Sequence, residues 1–560
     1  MNATIISLIH DALGDDREDV QVVVSETPEH GHYSSSIALR IAKRDGRNPM
    51  EVAESLAQFM RKQDNGAMFQ RIDVAPPGFI NFWLSEHALH ESFQTIVKAG
   101  SLWGTPDASF NKGTVVIDYS HPNIAKPMSV AHLRSTIIGN ALYRTFTFCG
   151  WKTIGDNHLG DWGKQFGILI AAYKEHPIEG DITIERLMKL YVDYNRRMKE
   201  DNQLEERARE EIKKLQEGDV ENKQLWQSFY DVSLREFERF YNLLDISFDY
   251  YNGESFYNNR LPTLVKEALQ RGVAQESEGA IVIPTSTKTP FLIRKQDGAY
   301  LYSTTDIAAV EYRVREFKPT HILYVVDNGQ SLHFQQLFEA VKKLGFIHQE
   351  VLVHVKFGLL LGEDLKKLST RAGKHISLEA VIDEAIQRAR AIVQSKREDL
   401  SEEEQETIAR MVGLGALKYN DLSQNRQSDI TFQWDKMLNL EGNSAPYIMY
   451  THARLCSILR KSDTALFDAS SLHEPGEFML VLRLLQFPDV VKRVTELYYP
   501  HFLTDYLFTL AKEANQFYQT VPVLKADATF RAVRLRLIKA VADTLKTGLG
   551  LLGISAPEKM

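Results

Sequence analysis

Three loops at predicted strand ends carry the side chains best suited to chemistry. The first holds Lys126 and His132, the second Asp156, His158, Asp161 and Trp162 among glycines, and the third Lys366, Lys367, Ser369 and Arg371. Lysine, arginine and histidine near a helix N-terminus suit a polyphosphate, where charge develops during phosphoryl or nucleotidyl transfer. Separately, Asp118 ends one predicted strand and Asp306 lies in the first turn of a predicted helix of the same sheet. Two carboxylates there suit a cationic ligand, ideally a guanidinium with its fork of donors. No G-x-x-x-x-G-K-[ST] stretch occurs, which excludes a P-loop NTPase. No Ser-His-Asp arrangement announces itself. His158 with Asp156 and Asp161 lacks further Cys or His at ligand spacing, so no protein-bound metal is expected. Glycines shaping a loop around a ligand or a turn are the better reading.

The elements that must position these groups follow from periodicity. Thr114 to Tyr119 is an apolar run that reads as a buried strand, followed by a polar, proline-broken loop. Apolar residues at Val130, Leu133, Ile137, Ile138, Ala141 and Leu142 then give helical spacing, with Ser129 where an N-cap belongs. His132 therefore falls in the first turn of a helix, just past a strand end. That is where ligands sit in an open α/β sheet, and a helix N-terminus favours anions. Later runs repeat strand, loop and helix at Lys152 to Gly155, His321 to Asp327 and Val351 to Gly358. Asp297-Gly298 signals a hairpin between alternating strands. The pattern predicts a mainly parallel, doubly wound, Rossmann-type sheet over 112–377.

Around this core the composition changes. Residues 1–105 combine helical patterns with an aromatic strand, RIDVAPPGFINFWLS, and read as an α+β unit. Phe79, Asn81, Phe82 and Trp83 could stack bases, although half-buried sheet residues are the simpler reading. AGSLWGTPDASFNKGT (99–114) reads as a linker. Residues 180–245 read as a helical insertion, with Glu205 four before Arg209 and Glu210 four before Lys214, a solvated helix and not a site. From 378 to 560 the chain is nearly all helix. Its last forty residues hold seven Lys/Arg against three Asp/Glu, either a solvated face or a phosphate-backbone contact. Gly548, Gly550 and Gly553 match G-x-G-x-x-G falsely, because they follow a helical pattern.

At 560 residues the chain is too long for one core. Its net charge of -8 argues against a wholly basic nucleic-acid coat but leaves room for local basic surfaces. Cys149 and Cys456 sit in apolar helical patterns and suit reduced thiols in a reducing, cytoplasmic setting. No apolar run approaches a membrane span, and the acidic N-terminal stretch does not read as a signal or transit peptide.

Several segments also resemble a known family. PNIAKPMSVAHLRSTIIGNAL is similar to the ATP-binding segment of class I arginyl-tRNA synthetases. NHLGDWGKQFG, YLYSTTDIAA, GQSLHFQQLFE and KKLSTRAG resemble later core segments of that family, in the same order. EGNSAPYIMYTHARLCSILRK and GLGLLGISAPEKM resemble its helical anticodon-binding domain and closing residues, and PPGFINFWLS its additional N-terminal domain. The resemblance covers nearly the whole chain. It implies activation of L-arginine with ATP and Mg²⁺ to arginyl-adenylate, then transfer to tRNA(Arg), by a monomer whose activation step generally needs bound tRNA. It implies that His132 stabilises the phosphates, with Ser129 and Ala131 beside it. Asp118, Tyr302 and Asp306 would read the guanidinium, and Asn123 and Gln330 would hold the α-amino end. Lys367, Leu368, Ser369, Thr370 and Arg371 would take the place of the K-M-S-K-S motif. Phe79 and Asn81 would meet the tRNA elbow, and Tyr447, Tyr518 and Met560 would lie near the anticodon.

Two departures stand out. Ser129 and Ala131 replace the first His and the Gly of the family's H-x-G-H motif, removing an imidazole donor and adding a methyl where adenine packs. Thr370 stands where the second lysine of K-M-S-K-S belongs, and Lys126 occupies the position from which a lysine compensates in family members with this variation. A tRNA-binding paralogue with weak or no ligase activity, and a small-molecule nucleotidyltransferase of the same fold, are the alternatives.

Overall fold

The computed structural model describes residues 1–14, 18–25, 30–106, 112–361, 377–462 and 472–560. Strands β1 (Val22–Val24), β2 (Tyr33–Ser35), β3 (Phe69–Ala75) and β4 (Phe79–Leu84) form an antiparallel sheet in the order β1-β2-β4-β3. Helices Asn2–Leu13, Ile37–Asp45, Pro49–Asp64 and Glu86–Ala99 complete this first unit. It does not hang from a free linker. The Trp103 indole N–H donates to Leu484 O at 2.9 Å, and His90 accepts from the Leu472 N–H at 2.8 Å, so both brace it against the helical unit.

The central sheet is parallel. Strands β5 (Thr114–Asp118), β6 (Lys152–Asp156), β10 (His321–Tyr324) and β11 (Val351–His354) lie in the order β11-β10-β5-β6. The chain runs from β5 outward to β6 and later returns to β10 on the other side of β5. The topological switch point is therefore the gap between the carboxyl ends of β5 and β10. Strands β7 (Gln275–Ser277), β8 (Ala280–Ile283) and β9 (Phe291–Arg294) form a small antiparallel sheet between β6 and β10 in sequence. The turn at Asp297-Gly298 is present, but only an isolated Arg294–Tyr300 bridge follows it. The returning strand is replaced by a helix that starts at Tyr302, so Asp306 lies one turn further in than its sequence suggests.

Register explains how both faces are filled. Val116, Ile154 and Ile322 are side by side and pack under helices Tyr302–Phe317 and Ser331–Lys343; Val115, Ile117 and Leu323 face the opposite core. The Val130–Phe148 helix covers that second face and meets the chain just after β5 closely. A Cβ on Gly139 would lie 2.3 Å from the ring of Tyr119, itself fully buried.

The insertion divides in two. Helix Asn202–Glu217 is solvated as expected, with Glu205 and Arg209 3.2 Å apart, although Lys214 pairs with Glu211 at 2.7 Å. Helix Val220–Leu243 instead buries Phe229, Ser233, Phe237, Phe240 and Tyr241 against the core. After Ser377 come helices including Leu378–Lys396, Glu402–Leu422, Ala445–Arg460, His501–Thr520 and Ala528–Leu551. Gly548 and Gly550 lie inside the last helix, as their false match to a nucleotide fingerprint requires.

Gly139→Ala sets two effects in opposition. Helix propensity would gain about 1 kcal/mol, whereas overpacking a rigid buried ring costs about 1–3 kcal/mol. The steric term should win, and thermal unfolding should show a lower Tm. An unchanged or raised Tm would refute the close-packing account.

Candidate active site

Parallel register places Asp118 beside Asp156 on one flank and beside Tyr324 on the other. Two carboxylates on adjacent strand ends repel unless a cation joins them. Arg313, from the Tyr302–Phe317 helix and 1% exposed, does so. Its Nη1 lies 2.8 Å from Asp118 Oδ2, and its Nε donates to Asp156 Oδ2 at 3.0 Å. His121 Nε2 donates to the other Asp118 oxygen at 2.6 Å. Burial pushes Asp118 up, but Arg313 and then His121 outweigh it and hold the carboxyl well below the usual range. Burial keeps Asp156 above its usual range although it shares the same guanidinium. Each Asp118 oxygen thus already has a protein partner, His121 on one and Arg313 on the other.

Asp306 is different. Its side chain keeps 21% exposure, accepts from His333 Nε2 at 2.7 Å, and lies 3.9 Å from His158 Nε2. Tyr302, 57% exposed, has its ring centroid 4.9 Å from that of His333. Glu254, at the start of a 3₁₀ turn, joins this region. Burial first, then the charges of Asp161 and Asp306, push its carboxyl up to about 8, so it is mostly protonated at neutral pH. Sequence reading missed Glu254, His333 and Arg313. Only the polar content of GESFY and SLHFQQ hints at the first two.

The loop after β5 is tightly specified. Ser120, His121 and Ala125 take left-handed backbone angles, uncommon for residues with side chains and concentrated at functional sites. Buried hydrogen bonds hold them there. The Ser120 N–H donates to Ser135 Oγ at 2.9 Å, the Ser120 hydroxyl pairs with Tyr241 at 2.7 Å, and the Ala125 N–H donates to Ser233 Oγ at 2.8 Å. Tyr241 and Ser233 come from the insertion, which therefore shapes the site after all. Asn123 faces Gly160 so closely that a Cβ there would lie 2.4 Å from Asn123 Oδ1.

At the helix N-terminus, the Ser129 N–H donates to His132 Nδ1 at 3.0 Å, and the Ser129 hydroxyl lies 3.1 Å from the same atom. A ring nitrogen that accepts from a backbone N–H carries no proton. Burial, then the neighbouring His121, pushes His132 down to about 4, so the ring is neutral with its proton on Nε2. Burial also lowers Lys126, which lies over the Tyr191 ring at 5.5 Å. Ala131 is exposed. Gln330 ends the short Asn328–Gln330 turn beyond β10 and is exposed.

In the glycine-rich loop, each polar group has a protein partner. Asp161 accepts from the Ser255 N–H and hydroxyl at 2.8 and 2.6 Å, and His158 Nδ1 donates to Asn252 O at 2.9 Å. Lys366, Lys367, Leu368, Ser369, Thr370 and Arg371 lie outside the described residues.

The outer positions diverge. Phe79 is 37% exposed and Trp83 lies under Arg71 at 4.5 Å, so these rings reach the surface. Phe82 is fully buried, and Asn81, 4% exposed, accepts from the Ser34 hydroxyl at 2.7 Å. Asn81 is therefore an interior sheet residue rather than a surface contact. Tyr447 is half-buried and accepts from Asn515 at 3.1 Å; Tyr518 lies 4.6 Å from the Arg454 guanidinium; Met560 O accepts from Arg397 at 2.8 Å.

Comparison with known proteins agrees with this geometry along the whole chain. Residues 94–434 match the catalytic domain of class I tRNA synthetases (R), residues 448–560 the DALR anticodon binding domain, and residues 1–84 the arginyl tRNA synthetase N-terminal domain. The arginine–tRNA ligase of Chloroflexus aggregans is 43% identical over 535 residues, covering 94% of this chain and 93% of that protein. That of Laribacter hongkongensis is 40% identical over 579 residues and covers all of both chains. The arginyl-tRNA synthetase structure from Plasmodium falciparum superposes with a TM-score of 0.85 at 30% identity, covering 100% of this chain and 99% of that one. The Thermus thermophilus structure, at 24% identity and a TM-score of 0.84, shares the fold over 100% of both chains. Parallel sheet, strand-end site, outer units and full-length similarity together show that the chain belongs to the class I arginyl-tRNA synthetase family.

Proposed function

We propose that the chain is an active arginine–tRNA ligase. A carboxylate oxygen of L-arginine attacks the α-phosphorus of ATP, pyrophosphate leaves, and the arginyl group then passes from the adenylate to a ribose hydroxyl at the tRNA(Arg) 3′ end. The observation that carries this reading is that one domain offers both an anion-ready helix end bearing His132 and a partly exposed, cation-ready carboxylate, Asp306, held by His333. The alternative of a non-catalytic paralogue, motivated by Ser129 and Ala131, finds no support among the full-length relatives, which are arginine–tRNA ligases.

The roles divide by chemistry. Neutral His132 offers its Nε2–H to phosphate oxygens without adding a charge, and Ser129 fixes that tautomer. Lys126 supplies the cation that Thr370 does not, acting with Lys367, Ser369 and Arg371 on ATP and its Mg²⁺ counter-ion. Asp306 and Tyr302 receive the substrate guanidinium, and Asn123 and Gln330 the α-amino end. Asp118 supports the pocket through His121 and Arg313. Phe79 suits the tRNA elbow, and Tyr447, Tyr518 and Met560 border the anticodon surface. A cytoplasmic monomer fits this reading; among the described residues no helix is long and apolar enough to cross a membrane.

Charging of total tRNA with each amino acid, with ATP and Mg²⁺, tests the activity. ATP-dependent charging with arginine alone is expected, and none with arginine at any salt would overturn the assignment. Asp306→Ala should cut kcat/KM for arginine by about 100-fold or more, because a buried cation loses its partner; unchanged arginine kinetics would remove Asp306 from the pocket. Lys126→Ala should slow activation about 100-fold with arginine KM unchanged, and a loss confined to arginine KM would refute a phosphate role.

Glu254 gives a pH test. Its folded pKa is raised, so its stabilising contribution is complete below about 4.5 and is lost as pH rises through about 8. Glu254→Gln keeps the neutral shape. Its Tm should match the parent's near about pH 5 and exceed it near about pH 9. A Tm difference independent of pH would show that the carboxyl is not held neutral.

A further inference from the structure

The Val130–Phe148 helix carries a fully buried arginine outside the substrate pocket. Arg134 is 1% exposed, and its guanidinium donates all round. Nε and Nη2 donate to the two oxygens of Asp421 at 3.0 and 3.3 Å. Nη1 donates to Gly358 O at 2.7 Å, Ser428 O at 3.2 Å and Leu359 O at 3.4 Å, and Nη2 to Arg426 O at 3.3 Å. These acceptors belong to two pieces of chain. Gly358 and Leu359 immediately precede Leu360–Leu361, after which the lysine-bearing segment 362–376 begins. Asp421, Arg426 and Ser428 belong to the Glu402–Leu422 helix and its exit, including the strand Ile430–Thr431 that pairs with Leu360–Leu361.

The far end of segment 362–376 returns to the same helix. Ser377 bridges to Ser129, and the Leu378 N–H donates to Met128 O at 3.3 Å. Both flanks of the lysine-bearing segment are thus anchored to the start of the helix whose first turn holds His132. Close backbone approach is part of the design, since a Cβ on Gly358 would lie 2.4 Å from Ser428 O. An apolar residue at 134 would suffice to fill space. A guanidinium that saturates carbonyls from two chain segments instead fixes their relative positions.

We propose that Arg134 is a positioning residue for arginine activation. It holds the His132 turn at a set distance from Gly358–Leu359 and from the exit of the Glu402–Leu422 helix, and Asp421 transmits that position to the helical unit. The proposal rests on the reading that His132 acts on ATP. Substrate arginine is read by other elements, Tyr302 and Asp306, so Arg134 should govern the rate of activation and leave arginine binding alone.

The test is arginine-dependent ATP–pyrophosphate exchange on the full chain with tRNA(Arg) present. Arg134→Lys keeps the charge but loses the fork. Arg134→Met combined with Asp421→Leu removes both buried charges together, so neither is left unpaired, and leaves the Gly358, Leu359, Arg426 and Ser428 carbonyls without this donor. In both, kcat for exchange should fall about 100-fold, the cost of a misplacement on the order of 1 Å, while arginine KM stays within about twofold. The Tm of the double variant should fall, because those carbonyls lose their donor, and exchange is read below that temperature. Wild-type kcat in the folded double variant, or a loss confined to arginine KM, would overturn the proposal. Should Arg134→Lys not fold, the double variant and Asp421→Asn carry the test. His132→Ala is the separate control: undiminished exchange there would refute the ATP-site reading itself.

Discussion

The buried ion triad of Asp118, Arg313 and Asp156 is the constraint on which the site depends. Parallel pairing brings the two aspartates side by side at the sheet's carboxyl end, where both are buried. Removing the guanidinium would leave uncompensated buried charge, a loss of about 3–5 kcal/mol by analogy with broken buried pairs. The triad ties β5, β6 and the Tyr302–Phe317 helix together at the point from which Tyr302 and Asp306 project. It also orients His121 and, through it, the strained loop leading to Asn123 and Lys126. The proposed guanidinium site at Asp306 thus stands beside an internal guanidinium whose own carboxylate partners are already in place.

The same device recurs at the other joints. Arg134 meets Asp421 between the ATP-side helix and the helical unit. Lys418, three residues earlier on that helix, is pushed down to about 7 by burial and then by Arg144. It donates to Leu244 O at 2.5 Å, where the insertion ends, and to Gly553 O beyond the last helix. Arg144, braced by Asn140 of its own helix at 2.9 Å, reaches Asp245 at 2.8 Å across the same junction as an exposed pair, unlike the buried Arg134–Asp421 pair. Buried pairs of this kind add little net stability, because desolvation consumes most of the Coulomb gain. What they add is directional: a carbonyl or carboxylate at one distance and no other.

The sequence discloses the parts whose physics is local. The strand to Asp118, the loop and the capped helix with His132 are legible because apolar runs, proline and an N-cap act over a few residues. The three-unit architecture is legible from composition and from family resemblance. What escapes is pairing between distant positions. Asp118 looks like a free ligand until Arg313, far along the chain, is seen on it. Asn81 looks exposed in an aromatic strand until Ser34 appears opposite. The Val220–Leu243 helix reads as solvated because its neighbour is; its buried face becomes apparent only once the loop it supports is in place. Asp306 reads as a first-turn residue because Tyr300 and Tyr302 look like strand residues, whereas the helix starts earlier, with the Leu301 N–H turned to the Thr304 hydroxyl at 3.5 Å.

Glu254 carries one further consequence. A carboxyl held neutral within the field of Asp306 is a stored proton near the carboxylate proposed to receive the substrate cation. When a guanidinium arrives, its charge offsets that of Asp306 and lowers the cost of ionising Glu254. Proton departure and amino-acid arrival are then two halves of one exchange, and the cavity's net charge changes less than the ligand's own. On the proposed reading, affinity for arginine therefore carries a dependence on the acidity of the medium to which the enzyme's own carboxyl contributes, beside that of the ligand's α-amino group; the guanidinium itself does not titrate in that range.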